Sequence, residues 1–125
     1  MRKSILNDCL ALANRKINKD PFKHYSFVVQ NNKIISYGLN HATAYCRHVP
    51  GFRPYSKIHS EISAIRAAIY LSKKSTSTVI NVRLNALGQI RISKPCKSCV
   101  SYLRRVGVTY VVYTTDAGTF ERMTL

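Results

Sequence analysis

Acidic side chains are scarce in this sequence. Five Asp and Glu residues stand against 20 Lys and Arg, which gives a formal net charge of +15 on 125 residues. So few carboxylates cannot neutralise the cations locally, and a basic surface is therefore nearly forced. A surface of that kind attracts polyanions, so nucleic acid or a phosphorylated small molecule is the expected class of partner.

Long hydrophobic runs are also missing. No stretch reaches the roughly 18 apolar residues of a membrane span, and charged residues interrupt the N-terminal segment where a signal peptide needs an apolar core. We therefore predict a soluble intracellular protein, cytoplasmic or nuclear, that does not contact a membrane. Hydrophobic residues make up 46% of the chain, which excludes wholesale disorder. The length suits one domain over residues 1–125.

Only four cysteines occur, and their pattern does not resemble the disulfide framework of a small secreted protein. We interpret Cys9, on an apolar helical stripe, as a core residue, and Cys46 as an idle thiol in a polar loop. Cys96 and Cys99 have C-x-x-C spacing, which in an intracellular protein indicates metal or redox chemistry.

Hydrophobic periodicity predicts helices over residues 4 to 18, 59 to 72 and 96 to 106, with Ser4 as a cap and Pro95 in the first turn of the last helix. The β-prone runs YSFVVQ and KIISYGLN around NNK predict a hairpin, and STSTVINVRLN contains a further strand. An extended piece follows in QIRISKP. VTYVVYTT and TFERMTL predict a closing hairpin.

Four chemically active side chains fall at the starts of two predicted helices. His59 and Glu61 head one helix, and Cys96 and Cys99 head the next. The chain between them is long enough for a crossover that brings the two helix starts together. One nitrogen and two sulfur ligands with an open fourth position suit a catalytic zinc ion. Helix N-termini also lower the pKa of thiols, and Glu61 is left to move protons.

Two other interpretations of these residues stay open. A structural zinc site would take a fourth ligand from the remaining histidines, His24, His41 and His48, all in or near loops. A redox pair of thioredoxin type accounts for the two cysteines but leaves the His and the Glu unexplained.

HSE and PCKSC resemble the H-x-E and P-C-x-x-C signature of the zinc-dependent cytidine deaminase-like superfamily. The order of predicted elements is similar to that fold over the whole chain. The resemblance implies a three-layer α/β/α domain with a mixed five-stranded sheet that ends in an antiparallel hairpin. It also implies one Zn²⁺ per chain, bound by His59, Cys96 and Cys99, and proton transfer by Glu61.

The same resemblance implies substrate contacts. YGLN is similar to a segment whose asparagine holds the sugar, which assigns that role to Asn40, although a strand-end turn residue is the competing interpretation. The backbone carbonyls of Ile58 and Lys94 would lie near the exocyclic amine. Lys94 departs from the small or acidic residue often found before Pro-Cys, which leaves the leaving-group contacts open.

Substrate class rests on two features. A closing hairpin leaves no room for a further crossover helix, which resembles the cytidine deaminase and bacterial-toxin branches rather than the tRNA adenosine, deoxycytidylate and AID/APOBEC branches. The segment before His59 also interleaves aromatic and cationic residues of the kind that stack on bases and contact phosphates: Phe52, Tyr55, Arg47, Arg53 and Lys57. Anchoring of the two rings in the core is the competing interpretation.

Three hypotheses follow. The first is a deaminase of cytosine in single-stranded DNA or RNA. The second is a deaminase of free cytidine, deoxycytidine or deoxycytidylate. The third is a zinc-containing module that binds nucleic acid without turnover. The sequence does not exclude an oligomer for any of them.

Overall fold

The computed structural model describes residues 3–15, 23–40, 52, 59–68 and 76–125. Its elements, in chain order, are α1 (Lys3–Arg15), β1 (Lys23–Gln30), β2 (Lys33–Leu39), α2 (Ser60–Ala67), β3 (Ser77–Leu84), β4 (Ile90–Arg91), α3 (Lys97–Arg105), β5 (Tyr110–Thr114) and β6 (Phe120–Thr124). No helix in this described part is long and apolar enough to cross a membrane.

The strands form one mixed sheet in the order β2-β1-β3-β5-β6. β3 and β5 run parallel, and the other neighbours, β5 and β6 included, run antiparallel, which confirms the closing hairpin. Asn31 and Asn32 close the first hairpin with φ of 51° and 60°, as a two-residue loop of this type requires.

The expected count of five strands is wrong by one. β4 is a sixth strand, which pairs with Arg83 and Leu84 at the end of β3. The turn before it is closed by Asn85, whose Oδ1 accepts hydrogen bonds from the backbone of Leu87 and Gln89 at 3.0 and 2.9 Å. A strand of two residues is too short to show a period in the sequence, which is why only an extended piece was predicted there.

Helices cover both faces of the sheet, which confirms the three-layer α/β/α arrangement. α1 packs on one face, where Cys9 is fully buried in the core beside Phe27 and Val82. α2 and α3 pack on the other face, where Ile65 and Leu103 meet strand residues of the second core.

Helix boundaries differ from the prediction at three points. Ser4 lies inside α1, because the helix already begins at Lys3. α2 ends at Ala67 with Ala68 as its C-cap, and residues 16 to 18 and 69 to 72 fall outside the described part. Pro95 precedes the N-cap Cys96 instead of lying in the first turn, so its fixed φ shapes the entry into α3.

Gly38 lets α2 rest directly on β2. A Cβ at this position would lie 2.7 Å from the carbonyl oxygen of Ser60 and closer still to the backbone nitrogen of Ala64. Those atoms are helix backbone, which cannot rotate away as a side chain can. Only glycine therefore fits under the first turns of α2.

We accordingly expect Gly38→Ala to displace the start of α2. Overpacking of this kind costs about 1 to 3 kcal/mol in unfolding free energy. Urea denaturation measures this unfolding free energy. Gly118→Ala is the comparison, because Gly118 lies in a turn at φ 80° where an added Cβ would meet no neighbouring atom, so it shows the effect of losing a glycine without a clash. Unchanged stability of Gly38→Ala together with unchanged zinc content would contradict the close approach.

Candidate active site

Two helix starts present the metal-ligating side chains. His59 is the N-cap of α2 and Cys96 is the N-cap of α3, both with extended backbone, at φ/ψ of −75°/157° and −70°/166°. These positions usually hold Ser, Thr, Asn or Asp, whose oxygens cap the helix. Here they hold an imidazole and a thiol, and Cys99 follows one turn into α3. The local sequence thus places ligands where a helix would otherwise place caps.

The three ligand atoms converge. His59 Nδ1 lies 3.1 Å from Cys99 Sγ and 3.7 Å from Cys96 Sγ, and all three atoms lie within 4.8 Å of one another. Zinc bonds of about 2.0–2.1 Å to nitrogen and about 2.3 Å to sulfur place tetrahedral N and S ligands roughly 3.6 Å apart. The donor set and its spacing therefore fit one zinc ion.

A fourth protein ligand was the alternative. Within the described ranges, the group that could hold a metal consists of His59, Cys96 and Cys99 alone, and His24 is not part of it. His41 and His48 lie outside the described residues. Within the described residues, three protein ligands leave one tetrahedral position, which is the coordination of a catalytic zinc site.

The two thiols differ in their pKa. Hydrogen bonds from the Cys99 thiol and then from His59 lower the pKa of Cys96 to about 3, which favours the thiolate. The same hydrogen bond to Cys96 raises the pKa of the Cys99 thiol, and burial and the nearby Glu61 raise it further. A zinc ion has to displace the Cys99 proton to bind.

Glu61 lies in the first turn of α2, two residues after the ligand His59, and its charge reaches His59 and Cys99. Its side chain is only 6% exposed, and the Ser60 hydroxyl donates to Oε1 at 3.0 Å. The pKa of His59 is raised, chiefly by its hydrogen bond to Cys96. The charges of Cys96 and Glu61 also raise it. A carboxylate held this close to the ligands, but outside the ligand set, can exchange protons with a molecule bound there.

Asn40 is tied to the start of β1. Its backbone N–H donates to the His24 carbonyl oxygen at 3.3 Å, and its Oδ1 accepts from the His24 N–H at 3.3 Å. Burial, with smaller effects of Arg83 and His59, lowers the pKa of His24 to about 4, so this imidazole is neutral at pH 7. Asn40 therefore lies directly after the end of β2, and its contact with the sugar stays a prediction.

Of the two predicted aromatic contacts, Phe52 lies within the described residues, and it lies beside His59. Its ring meets the His59 ring edge to face, with centroids 5.5 Å apart and planes at 81°. Lys94 is exposed two residues before Cys96. The other predicted substrate contacts lie outside the described residues: Arg47, Arg53, Tyr55, Lys57 and Ile58.

Sequence reasoning missed a chain of buried polar side chains beneath the ligands. Ser26, Ser60, Asn81, Ser93 and Thr114 are each at most 6% exposed and are joined by hydrogen bonds of 2.6 to 3.1 Å. The signal in the sequence was the single amide in the apolar strand TVINVRL, whose partners could not be named without the strand register.

The family model for the cytidine and deoxycytidylate deaminase zinc-binding region matches residues 1–115. This chain belongs to that family. No curated protein is a significant sequence match. The matched region is named for zinc binding, and it contains His59, Cys96 and Cys99, the three residues that could hold a metal in this deaminase-family chain.

The solved structures that are similar to this deaminase-family chain include two deaminases. The cytidine deaminase of Burkholderia pseudomallei is 20% identical, with a TM-score of 0.65 over 99% of this chain and 93% of that one. The dCMP deaminase of the cyanophage S-TIM5, in apo form, is 20% identical, with a TM-score of 0.58 over 92% of this chain and 86% of that one. At this identity the two likenesses establish the fold.

Proposed function

We propose that this chain is a hydrolytic deaminase that converts cytosine to uracil in single-stranded DNA or RNA. The observation that carries the reaction is a three-ligand zinc site with a buried glutamate beside it. The substrate assignment is supported separately, by the charge of the chain and by the residues around the site.

Deamination at C4 of cytosine adds water, breaks the bond to the amino group and releases ammonia. Zinc bound at this site would acidify a water molecule to a pKa of about 7. We assign to Glu61 the uptake of a proton from water and its return to N3 and to the departing amine. The Ser60 hydroxyl can donate to Glu61 when the carboxylate is ionised and turn toward Ser26, 2.8 Å away, when it is protonated.

Cations border the ligands. Lys94 and Lys97 are both exposed and lie on either side of Cys96 in sequence. Arg83 is the cross-strand partner of His24, and its charge reaches that imidazole. With a net charge of +15, these cations favour a substrate that carries phosphate groups.

A second candidate is a deaminase of free cytidine, deoxycytidine or deoxycytidylate. The observation in its favour is that two of the similar structures are a cytidine deaminase and a dCMP deaminase. A zinc module that binds nucleic acid without turnover is the candidate of another class, and any uracil formation excludes it.

Uracil formation on cytosine-containing oligonucleotides, beside free cytidine, deoxycytidine and deoxycytidylate, separates these candidates. We expect turnover on the oligonucleotide and binding that weakens with salt at a logarithmic slope of about 0.7 per phosphate contact. Replacing Arg47, Arg53 and Lys57 together should flatten that slope. Saturable turnover of the free compounds with none on any oligonucleotide at low salt would contradict the strand assignment.

Phe52→Ala tests the aromatic contact. If the ring stacks on a base, its loss should weaken oligonucleotide binding by about 1 to 3 kcal/mol. Tyr37→Ala is the matched control, because this 44% exposed ring packs near Phe27 on the opposite face of the sheet. Equal affinities of the two variants would indicate that Phe52 only braces His59.

A further inference from the structure

We propose that Asn81 is a positioning residue that holds the two metal-binding segments of this deaminase-family chain at a fixed separation. The inference rests on the zinc site described above and not on the identity of the substrate. One segment contains His59 and Glu61, the other contains Cys96 and Cys99, and the Asn81 side chain bonds toward both.

Toward the cysteine segment, Asn81 fixes the extended chain that enters α3. Its Nδ2 donates to the Ser93 carbonyl oxygen at 3.1 Å, and the Ser93 hydroxyl donates to the Asn81 carbonyl oxygen at 2.9 Å. Ser93 is itself fixed to β5, because its N–H donates to the Thr114 carbonyl oxygen at 2.9 Å and its Oγ accepts from the Thr114 N–H at 2.8 Å. Only Lys94 and Pro95 separate Ser93 from the ligand Cys96.

Toward the histidine segment, Asn81 acts through two hydroxyls. The Ser26 hydroxyl donates to Asn81 Oδ1 at 2.6 Å, and Ser26 Oγ lies 2.8 Å from Ser60 Oγ. Ser60 stands between His59 and Glu61 in the chain, and its single hydroxyl proton can bond either to Ser26 Oγ or to the Glu61 carboxylate, 3.0 Å away. A shift of Asn81 would therefore reach a metal ligand and the proton-transfer group together.

The chemistry of the contacts requires an amide. One end of the side chain faces a carbonyl oxygen and needs a donor, while the other end faces a hydroxyl that donates and needs an acceptor. Aspartate lacks the donor, and leucine lacks both. Asn81 is 3% exposed in a strand whose neighbours Ile80 and Val82 are fully buried, so its burial is costly unless these bonds form.

The same two strands provide a matched control. Gln30 and Ser77 are another cross-strand pair of β1 and β3 on this face, four residues along each strand from Ser26 and Asn81. Gln30 Nε2 donates to Ser77 Oγ at 2.8 Å, and both residues are at most 6% exposed. Ser77→Ala thus removes a buried hydrogen bond between the same strands without touching either metal-binding segment.

The test measures zinc affinity by chelator competition on zinc-loaded protein, with thermal unfolding and with kcat and KM on whichever substrate is turned over. We expect Asn81→Ala to weaken zinc binding and to lower kcat by about 10- to 100-fold each, with little change in KM. Asn81→Asp keeps the acceptor for Ser26 but loses the donor to Ser93, and it should show the same direction of change. Ser77→Ala should lower the melting temperature and leave zinc affinity and kcat at the parent values.

Retained zinc affinity in a folded Asn81→Ala protein, or an equal loss in Ser77→Ala, would overturn the proposal. Should Asn81→Ala not fold, Ser26→Ala decides, because it removes one hydroxyl and leaves the bonds to Ser93 in place. Parent zinc affinity and kcat in Ser26→Ala would also overturn it. Since zinc affinity needs no substrate, a protein that deaminates nothing would contradict the proposed function and still leave this test intact.

Discussion

Glu61→Gln is expected to abolish deamination while the fold and the zinc content stay as in the parent protein. In the parent protein the Ser60 hydroxyl donates to the Glu61 carboxylate at 3.0 Å. Gln keeps the shape of the side chain and an oxygen that can accept this bond, but it cannot take up a proton. Positioned proton transfer contributes about 10²- to 10⁴-fold to a rate, so the loss should fall in or beyond that range. Turnover and zinc content are measured on the same preparation.

Glu121→Gln is the matched control for this variant. Glu121 accepts a hydrogen bond from the Tyr113 hydroxyl at 2.9 Å on the edge strand β6, away from the metal ligands. The same change of charge there should leave turnover unchanged. Parent activity in Glu61→Gln would contradict the role of this residue in proton transfer.

Cys96→Ser is expected to lose zinc and activity together. Cys96 is exposed, so the substitution removes little packing and its effect reports on the metal. A serine hydroxyl is a far weaker zinc ligand than the thiolate that the hydrogen bonds to Cys96 favour. Zinc binds the folded state and stabilises it, so the melting temperature of Cys96→Ser should fall as well. Metal analysis and thermal unfolding measure both effects.

Cys9→Ala serves as the comparison, since Cys9 is a fully buried cysteine on the core side of α1. The Cys9→Ala protein should keep its zinc.

Zinc affinity should also depend on pH. The pKa of the Cys99 thiol is raised without metal, so zinc binding has to release that proton, and zinc affinity should increase as pH rises. Full zinc occupancy in Cys96→Ser, or affinity that falls with rising pH, would contradict the ligand assignment.

The metal ligands were predictable because their chemistry shows in short spacings. His59 and Cys96 each begin a helix whose apolar pattern marks its own start, so the placement of the ligands followed from local sequence. The antiparallel closing hairpin followed for the same reason, since a turn with Gly118 at φ 80° joins two β-prone runs. Local signals of this kind need no knowledge of what packs against them.

The polar chain under the ligands could not be predicted in this way. Asn81 and Ser26 are 55 positions apart, and they meet only because β1 and β3 pair in one register. A slip of either strand by one residue would turn its side chain to the opposite face of the sheet and separate the pair. Gly38 presents the same difficulty, because the helix backbone above it is visible only in three dimensions. Both features depend on contacts between residues far apart in the chain. No short sequence motif encodes such contacts.

X-ray absorption at the zinc edge of the purified protein tests the central claim most directly, because it counts the ligands of the metal. A site built from His59, Cys96 and Cys99 predicts two sulfur ligands at about 2.3 Å and two lighter ligands at about 2.0–2.1 Å, one of them imidazole nitrogen. The second lighter ligand should change when a substrate analogue is added. A protein without zinc, or one in which a third sulfur or a second imidazole closes the site, would contradict the account.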